Sequence, residues 1–180
     1  MALKGNIREN LKEAVKNREE LKSSVLRLLL AAIFNKEKEK RYKLSKEKPE
    51  LSGKELEEES QLNDEEIIDV ISSEAKKRKE SIVEFEKGQR MDLPSHLLEK
   101  VQGLVEKEKK ELEILEKYLP EQMSEKEIKR LVKEAIDKTG AKEIKDMGKV
   151  MQEVMPKVKG KADGSLVSRI VKDLLIPKTE

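Results

Sequence analysis

Residues 123–140 read MSEKEIKRLVKEAIDKTG and carry the strongest folding signal in the chain. Ser124 and Glu127 have the spacing of a capping box, in which each side chain binds the other residue's backbone N–H at the start of a helix. Gly140 is the residue type that most often follows a helix end. Between them the apolar residues recur at helical spacing: Ile128, Leu131, Val132, Ala135 and Ile136. The stretch therefore predicts an α-helix with one apolar face.

Two more apolar stripes of the same kind follow this helix. The first is expected to end at Pro156, and a loop over Lys157–Asp163 separates it from the second. The two stripes comprise Met147, Val150, Met151, Val154 and Met155, and then Leu166, Val167, Ile170, Val171, Leu174 and Leu175. Three short helices with one apolar face each can close a small core. Residues 121–180 are therefore predicted to form a separate three-helix domain.

Residues 1–120 carry longer helical stripes. Two helices are expected first, joined near Asn17–Glu19, and the second continues through the charged stretch 35–43. Residues 45–62 contain proline, glycine and many charges, and are interpreted as a loop or a weakly helical excursion.

Two further helices complete this N-terminal part. Asn63 and Glu66 have capping-box spacing, Gly88 is expected to end the first helix, and Pro94 fits the first turn of the second. Their apolar stripes are Ile68, Ile71, Ala75, Arg78, Ile82 and Phe85, and then Leu97, Val101, Leu104, Leu112, Leu115 and Leu119. The pattern predicts an antiparallel helical bundle with long arms over residues 1–120.

The composition also favours an all-α fold. Only 36% of the 180 residues are hydrophobic and 43% are charged, so the core is thin, and narrow stripes on long helices meet that limit better than a sheet does. The chain has no cysteine, which excludes disulfides and cysteine-based zinc sites. It has neither an apolar run approaching the roughly 20 residues of a membrane span nor a signal-peptide pattern. The expected compartment is the cytoplasm.

The residues offer little for catalysis. The single histidine, His96, is interpreted as an ordinary exposed residue, and one histidine without cysteine cannot build a histidine-rich metal site. The P-loop, dinucleotide-binding, GxSxG and HExxH patterns are all missing. No catalytic residue, metal ligand or cofactor is therefore predicted.

The segment KVKGKADG, residues 157–164, is the best candidate for a binding site. It places three lysines within five residues between two helices. Gly160 and Gly164 permit tight turns, and Asp163 can cap the last helix. Lysines with free backbone N–H groups at a helix start suit contact with phosphate. The alternative is a plain solvated loop.

Two other motifs stand out. DMGKVM, residues 146–151, sets Gly148 in a helical pattern, where glycine is about 1 kcal/mol less favourable than alanine; close packing inside the protein is favoured over contact with a partner's backbone. Arg78 lies in an apolar seam, one turn before Ser81, and can pair with a carboxylate across the bundle. Arg90 and Asp92 can lock the following turn. A structural role is favoured for these residues.

The charges are unevenly distributed along the chain. Residues 124–180 carry 14 Lys and Arg against 10 Asp and Glu, a net +4, whereas residues 1–123 carry 26 against 28, a net −2. A basic C-terminal part favours an anionic partner.

These segments closely resemble the YqeY-like (GatB/YqeY) family, over essentially the whole chain. The resemblance rests on KKR at 76–78 with Ser81, on Gly88, Arg90, Asp92 and Leu93, on YLPEQ at 118–122, on DMGKVM at 146–151 and on PKVKGKADG at 156–164. It implies a C-terminal domain similar to the tail of the GatB subunit of tRNA-dependent amidotransferase. Two stretches, 45–62 and 93–111, are longer than in typical members, the second by about three helical turns.

The resemblance further implies contact with tRNA and an association with glutamine-dependent carbon–nitrogen ligation. Members are commonly described as carbon–nitrogen ligases with glutamine as amido-N-donor. The positions expected to contact RNA are Lys149, Lys157, Lys159, Gly160 and Lys161.

Three functions remain open at this point. The leading one is an accessory protein whose partner is either tRNA or an enzyme that modifies or aminoacylates tRNA. It is expected to recognise RNA by shape, because aromatic residues are few. The second is a protein–protein adaptor that uses the seam or the face of Met147, Met151 and Met155. The third, a standalone amidotransferase, lacks any visible replacement for the glutaminase and kinase-like parts of such enzymes.

Overall fold

The computed structural model describes residues 2–89 and 94–176. These residues form eight α-helices and no strand, which confirms the all-α prediction. The helices are α1 (Ala2–Lys16), α2 (Glu20–Glu47), α3 (Gly53–Glu59), α4 (Asp64–Gln89), α5 (Ser95–Glu116), α6 (Glu125–Thr139), α7 (Met147–Val158) and α8 (Gly164–Leu175), with a short 3-10 helix at Ile144–Asp146 before α7. Within the described ranges, no helix is long and apolar enough to cross a bilayer.

The chain divides into two compact units, Met1–Tyr118 and Leu119–Glu180. Helices α1–α5 belong to the first unit and α6–α8 to the second. Each unit closes its own core.

The first unit is built around a helical hairpin, α4 against α5, on which α1 and α2 pack. Its most deeply buried side chains are aliphatic: Ile7, Leu26, Leu29, Ile33, Ile67, Ile71 and Leu115. The expected seam of α4 is confirmed at Ile71, Ala75 and Ile82, but it begins at Ile67 and not at Ile68, which is only half-buried. Ile67 and Ile71 lie four residues apart and share one face of the helix.

The predicted stripe of α5 is partly wrong. Leu115 is buried as predicted, but Leu97 and Leu104 are exposed, and Val105 and Glu111, which lay outside the predicted stripe, are buried. In this hairpin α5 packs mainly on one partner, α4, so only residues that face that partner directly are covered.

The helix ends of the first unit follow local chemistry. Asn63 and Glu66 form the expected capping box, with the Glu66 N–H donating to Asn63 Oδ1 at 2.8 Å and the Asn63 N–H to Glu66 Oε2 at 2.9 Å. A second capping box, Ser52 with Glu55, starts α3 inside the stretch that was expected to be loop or weak helix.

Two boundaries of the α4–α5 hairpin differ from the prediction. Gly88 lies inside α4, because the helix continues to Gln89. Pro94 is the N-cap of α5 and not a residue of its first turn. The Pro94 carbonyl accepts from the N–H groups of Leu97 and Leu98.

The second unit is a three-helix cluster, as the apolar stripes indicated. Ser124 and Glu127 form the capping box that starts α6, and Gly140 ends it in the left-handed conformation with φ 65°. One aliphatic core joins the three helices through Ile128, Val132, Ala135, Val150, Val154, Val158, Val167, Ile170, Val171 and Leu175.

Helix α7 differs from its prediction. It continues through Pro156 to Val158, and Met155 is exposed. Proline removes one N–H from the helix ladder, but Val158 lies one turn beyond Val154 and is almost completely buried. Burial of this side chain stabilises the extra turn, because a fully buried valine contributes on the order of 1.5–3 kcal/mol. The loop is therefore shorter than expected and covers residues 159–163.

Candidate nucleic-acid interface

The loop between α7 and α8 is folded back on the end of α7. The Lys161 and Ala162 N–H groups both donate to the Val158 carbonyl, at 2.9 and 3.0 Å. Gly160 has φ 70°, a left-handed conformation that other residue types rarely adopt. The loop backbone is thus held by the buried end of the preceding helix.

A second segment clamps the same loop from the α6 side. Gln122 Nε2 donates to the Gly160 carbonyl at 2.8 Å and to the Pro120 carbonyl at 2.9 Å. The Met123 N–H donates to the Lys161 carbonyl at 2.8 Å. Two motifs that are about 40 residues apart in the sequence, YLPEQ and KVKGKADG, therefore meet in one structure. Sequence reasoning did not find this clamp, although Gln122 lies in a motif it had singled out.

The candidate lysines around the loop are all exposed, but some of their ammonium groups are already paired with carboxylates. Lys157 Nζ pairs with Glu153 Oε1 at 3.2 Å, and Lys149 Nζ pairs with Asp146 Oδ1 at 2.9 Å. The ammonium group of Lys161 has no ion-pair partner among the residues described. Lys161 is therefore the most available cation of the set.

The carboxylates that neutralise the other lysines are stabilised as anions. Hydrogen bonds from Lys138, and next from Lys157, lower the pKa of Glu153 below its usual value. The Lys149 ammonium, and next the Lys142 backbone N–H, lower the pKa of Asp146 in the same way. Both carboxylates are therefore ionised at neutral pH.

Asp163 caps the last helix as expected. Its Oδ1 accepts from the Ser165 N–H at 2.7 Å and from the Leu166 N–H at 3.3 Å. The expectation of free backbone N–H groups at this helix start is wrong for Ser165 and Leu166, because both donate to the Asp163 carboxylate. At the start of α8, phosphate contact is therefore expected from the lysine side chains and not from these two N–H groups.

Gly148 has a different environment from the one predicted. It is the second residue of α7, not an interior residue, and it is exposed. Apart from its chain neighbours and the backbone of its own helix, a methyl group built on its Cα would meet no atom within 4 Å. Close packing inside this unit therefore does not explain the glycine, and the backbone here is open to an approaching molecule.

Arg78 forms the predicted cross-bundle pair. Its Nε donates to Glu111 Oε2 at 2.7 Å and lies 3.4 Å from Glu108 Oε2. Glu111 is only 8% exposed. The arrangement ties α4 to α5, and it places Arg78 in the first unit, whereas the candidate lysines belong to the second.

The remaining candidates add little to this picture. Ser81 is half-buried on α4, and His96 is exposed in the first turn of α5. Arg90 and Asp92 lie outside the described residues. Over residues 2–89 and 94–176, no three His, Asp or Glu side chains come together in a group that could hold a metal ion.

A protein-family model described as Yqey-like protein matches residues 47–175, which is more than half of the chain. Helix α1 and almost all of α2 lie outside the matched range. No curated protein matches the chain.

Proposed function

The chain belongs to the YqeY-like family, and on that premise we propose that it is a tRNA-interacting accessory protein. It acts with glutamine-dependent carbon–nitrogen ligase systems of the tRNA amidotransferase type and has no catalytic centre of its own. The contact with RNA is made by the basic loop of the second unit.

The observation that carries this proposal is the fixed loop with outward lysines. The Gly160 carbonyl accepts a hydrogen bond from Gln122 Nε2, and the Lys161 carbonyl accepts one from the Met123 N–H. The ammonium group of Lys161 remains available. A preordered backbone reduces the conformational entropy cost of binding by the loop. Cations presented in this way suit the phosphate backbone of a nucleic acid.

The expected mode of recognition is by RNA shape. Lysine binds phosphate as a point charge and carries no base information. Gly148 belongs to the same unit and has an exposed backbone. Because glycine has no side chain, a phosphate or ribose can approach the start of α7 more closely here than if any other residue type occupied the position.

Titration with tRNA at two salt concentrations tests the proposal. Replacing Lys157, Lys159 and Lys161 by alanine removes up to three cations that neutralise phosphate, so the slope of log affinity against log salt should fall by up to about 0.9 for each phosphate that is no longer neutralised. A triple alanine variant at Lys129, Lys133 and Lys172 removes the same charge from α6 and α8, and serves as the matched control. Equal binding by the loop variant and the wild type would reject the loop as the RNA-binding segment.

An adaptor function is the second candidate, and it is supported by exposed apolar residues of the same unit. Ile144, Met155, Leu174 and Ile176 are all more than one-third exposed. Met147 and Met151 instead pack partly against the core, so the methionine face is narrower than the sequence suggested. A partner that is retained in a pull-down from nuclease-treated lysate, with no RNA present, would favour this function.

The proposal also predicts that the pure protein does not amidate misacylated tRNA. Glutamine-dependent turnover by the purified chain alone would contradict it, and would support the ligase activity commonly described for the family.

A further inference from the structure

The outer side of α2 carries two exposed aromatic rings. The whole chain has only 2 Phe and 2 Tyr, and Phe34 and Tyr42 are 58% and 62% exposed. They lie eight residues apart on the side of the helix that points away from the buried Leu29 and Ile33. Because aromatic rings normally contribute to a core, two solvent-exposed rings indicate a surface that binds a partner.

Cations surround the two rings. Lys38 Nζ lies 5.4 Å from the centre of the Phe34 ring, and Lys46 Nζ lies 4.4 Å from the centre of the Tyr42 ring. Arg41 lies between them along the helix and donates to the Gly53 carbonyl, at 3.2 Å. We call Phe34, Lys38, Arg41, Tyr42 and Lys46 the basic–aromatic face.

A shallow groove continues this face towards α1. Arg8 lines the groove together with Phe34, Lys38 and Arg41, and it has no ion-pair partner among the residues described. Of the two carboxylates in the groove, Glu37 already accepts from both Lys4 and the Leu62 N–H, which leaves Glu57 on the rim. Positive charge therefore exceeds negative charge across the face and the groove.

We propose that the basic–aromatic face binds unpaired nucleotides of an RNA. Exposed aromatic rings stack on bases, while neighbouring cations hold the phosphates, which is how sequence-tolerant single-strand sites are built. Arginine and lysine without carboxylate partners also suit an acidic protein, but such a partner would not use the rings. The inference deepens the proposed function and rests on it for the choice of RNA.

The spacing of the rings sets the form of the ligand. Eight residues of α-helix separate Phe34 and Tyr42 by about 12 Å along the axis, more than three times the roughly 3.4 Å rise per nucleotide of one strand in a stacked duplex. The two rings therefore take two bases that are not adjacent in a stack. This geometry fits an extended single strand and does not fit a duplex.

The experiment compares labelled RNA probes by fluorescence anisotropy with the full-length chain. The probes are a 12-nucleotide single strand and a duplex of the same length. Phe34→Ala with Tyr42→Ala should weaken single-strand binding about 30-fold or more while leaving the salt slope unchanged. Leu28→Ala, which removes a 54% exposed side chain from another part of α2, should bind as the wild type does, as should Phe34→Tyr with Tyr42→Phe.

Charge variants separate stacking from attraction to phosphate. Arg8→Gln with Lys38→Gln should reduce the salt slope by up to about 0.7 for each phosphate that is no longer neutralised, whereas Lys12→Gln with Lys36→Gln, which makes the same charge change elsewhere on α1 and α2, should not. Unchanged single-strand affinity in the aromatic double variant overturns the proposal. The proposal is also overturned if the duplex binds as tightly as the single strand, or if polyglutamate displaces the labelled single strand as effectively as unlabelled single strand does.

These outcomes are independent of the test of the loop lysines. If the loop variant loses tRNA binding while the aromatic variant keeps oligonucleotide affinity, this inference fails and the proposed function stands. If the aromatic variant loses single-strand binding while the loop variant binds tRNA normally, the role of the loop in RNA binding fails and the basic–aromatic face remains.

Discussion

Arg78 illustrates how single residues hold a highly charged chain together. Its guanidinium pairs with two carboxylates of α5, those of Glu111 and Glu108. The side chains of Arg78 and Glu111 are only 17% and 10% exposed. Glu108 Oε2 is buried without a hydrogen-bond partner among the described residues, so it depends on the guanidinium at 3.4 Å. Removing the cation would leave Glu108 without a partner and Glu111 with only Lys107 Nζ, 3.9 Å from its Oε1, so most of the compensation for two desolvated carboxylates would be lost.

We therefore expect Arg78→Met to destabilise the protein by about 2–4 kcal/mol in urea unfolding, somewhat below the range for a fully buried pair. Lys79→Met is the matched control, because the Lys79–Glu116 pair is exposed at 43% and 37% and such pairs contribute less than about 1 kcal/mol. Combining Arg78→Met with Glu108→Leu and Glu111→Leu should recover much of the stability. Equal effects of Arg78→Met and Lys79→Met would show that burial of the pair is unimportant.

Glu153 should limit the affinity of the candidate interface for RNA. It pairs with Lys138 at 2.7 Å and with Lys157 at 3.2 Å, so Glu153→Gln would free Lys157 and add positive charge beside the loop. We expect a several-fold gain in tRNA affinity and a salt slope steeper by up to about 0.9. Glu134→Gln makes the same charge change beside Arg130 on α6 and should have a smaller effect. A loss of affinity in Glu153→Gln would mean that the ion pair itself shapes the site.

At the scale of elements, α6 shows what local sequence determines. Its start depends on a capping box within four residues, and its end on one glycine; both are short-range effects that the sequence displays directly. Helix α7 shows the opposite case. Pro156 indicated a helix end, but the burial of Val158 against the other helices of the unit outweighed it, and tertiary packing of that kind is not visible in a local pattern.

The capping box of α6 should also give the second unit a measurable pH dependence. Hydrogen bonds from the Ser124 hydroxyl, and next from its backbone N–H, lower the pKa of Glu127 below its usual value. Because the folded pKa is depressed, this contribution is complete above the unfolded value of about 4.3 and is lost as the pH falls through the folded value. It therefore stabilises the protein at neutral pH and disappears in acid.

Melting temperatures of the wild type and Glu127→Gln between pH 7 and pH 3 test this point. Glutamine can keep the hydrogen bonds of the capping box but not the charge, so the wild type should melt higher at pH 7 and the difference should shrink towards zero in acid. Glu134→Gln, outside the box, is the control. A difference that stays constant with pH would contradict the assignment.

At the scale of the whole molecule, the sequence predicted the candidate site only in part. The loop lysines and Asp163 were identified from composition and spacing, because lysine and glycine clusters between helices are visible in one dimension. The clamp by Gln122 joins segments about 40 residues apart, and the i,i+4 pair of Lys157 with Glu153 requires α7 to continue past Pro156, where the sequence predicted the helix to end. Neither follows from a motif.

The basic–aromatic face was missed for a different reason. The sequence showed only that aromatic residues are few, and the shared position of Phe34 and Tyr42 became informative only once α2 was known to bury Leu29 and Ile33 on its other side. A helical projection of residues 29–46 would have shown the same separation, since the spacing of four and eight residues repeats on one face. That both rings are exposed, however, could be seen only in the structure.

Photo-crosslinking of the full-length chain to tRNA, followed by identification of the crosslinked peptides, tests the central claim most directly. The account predicts crosslinks within residues 157–164, and their disappearance in the variant that lacks Lys157, Lys159 and Lys161. Crosslinks confined to other segments, or the absence of any crosslink at a tRNA concentration that saturates binding, would contradict it.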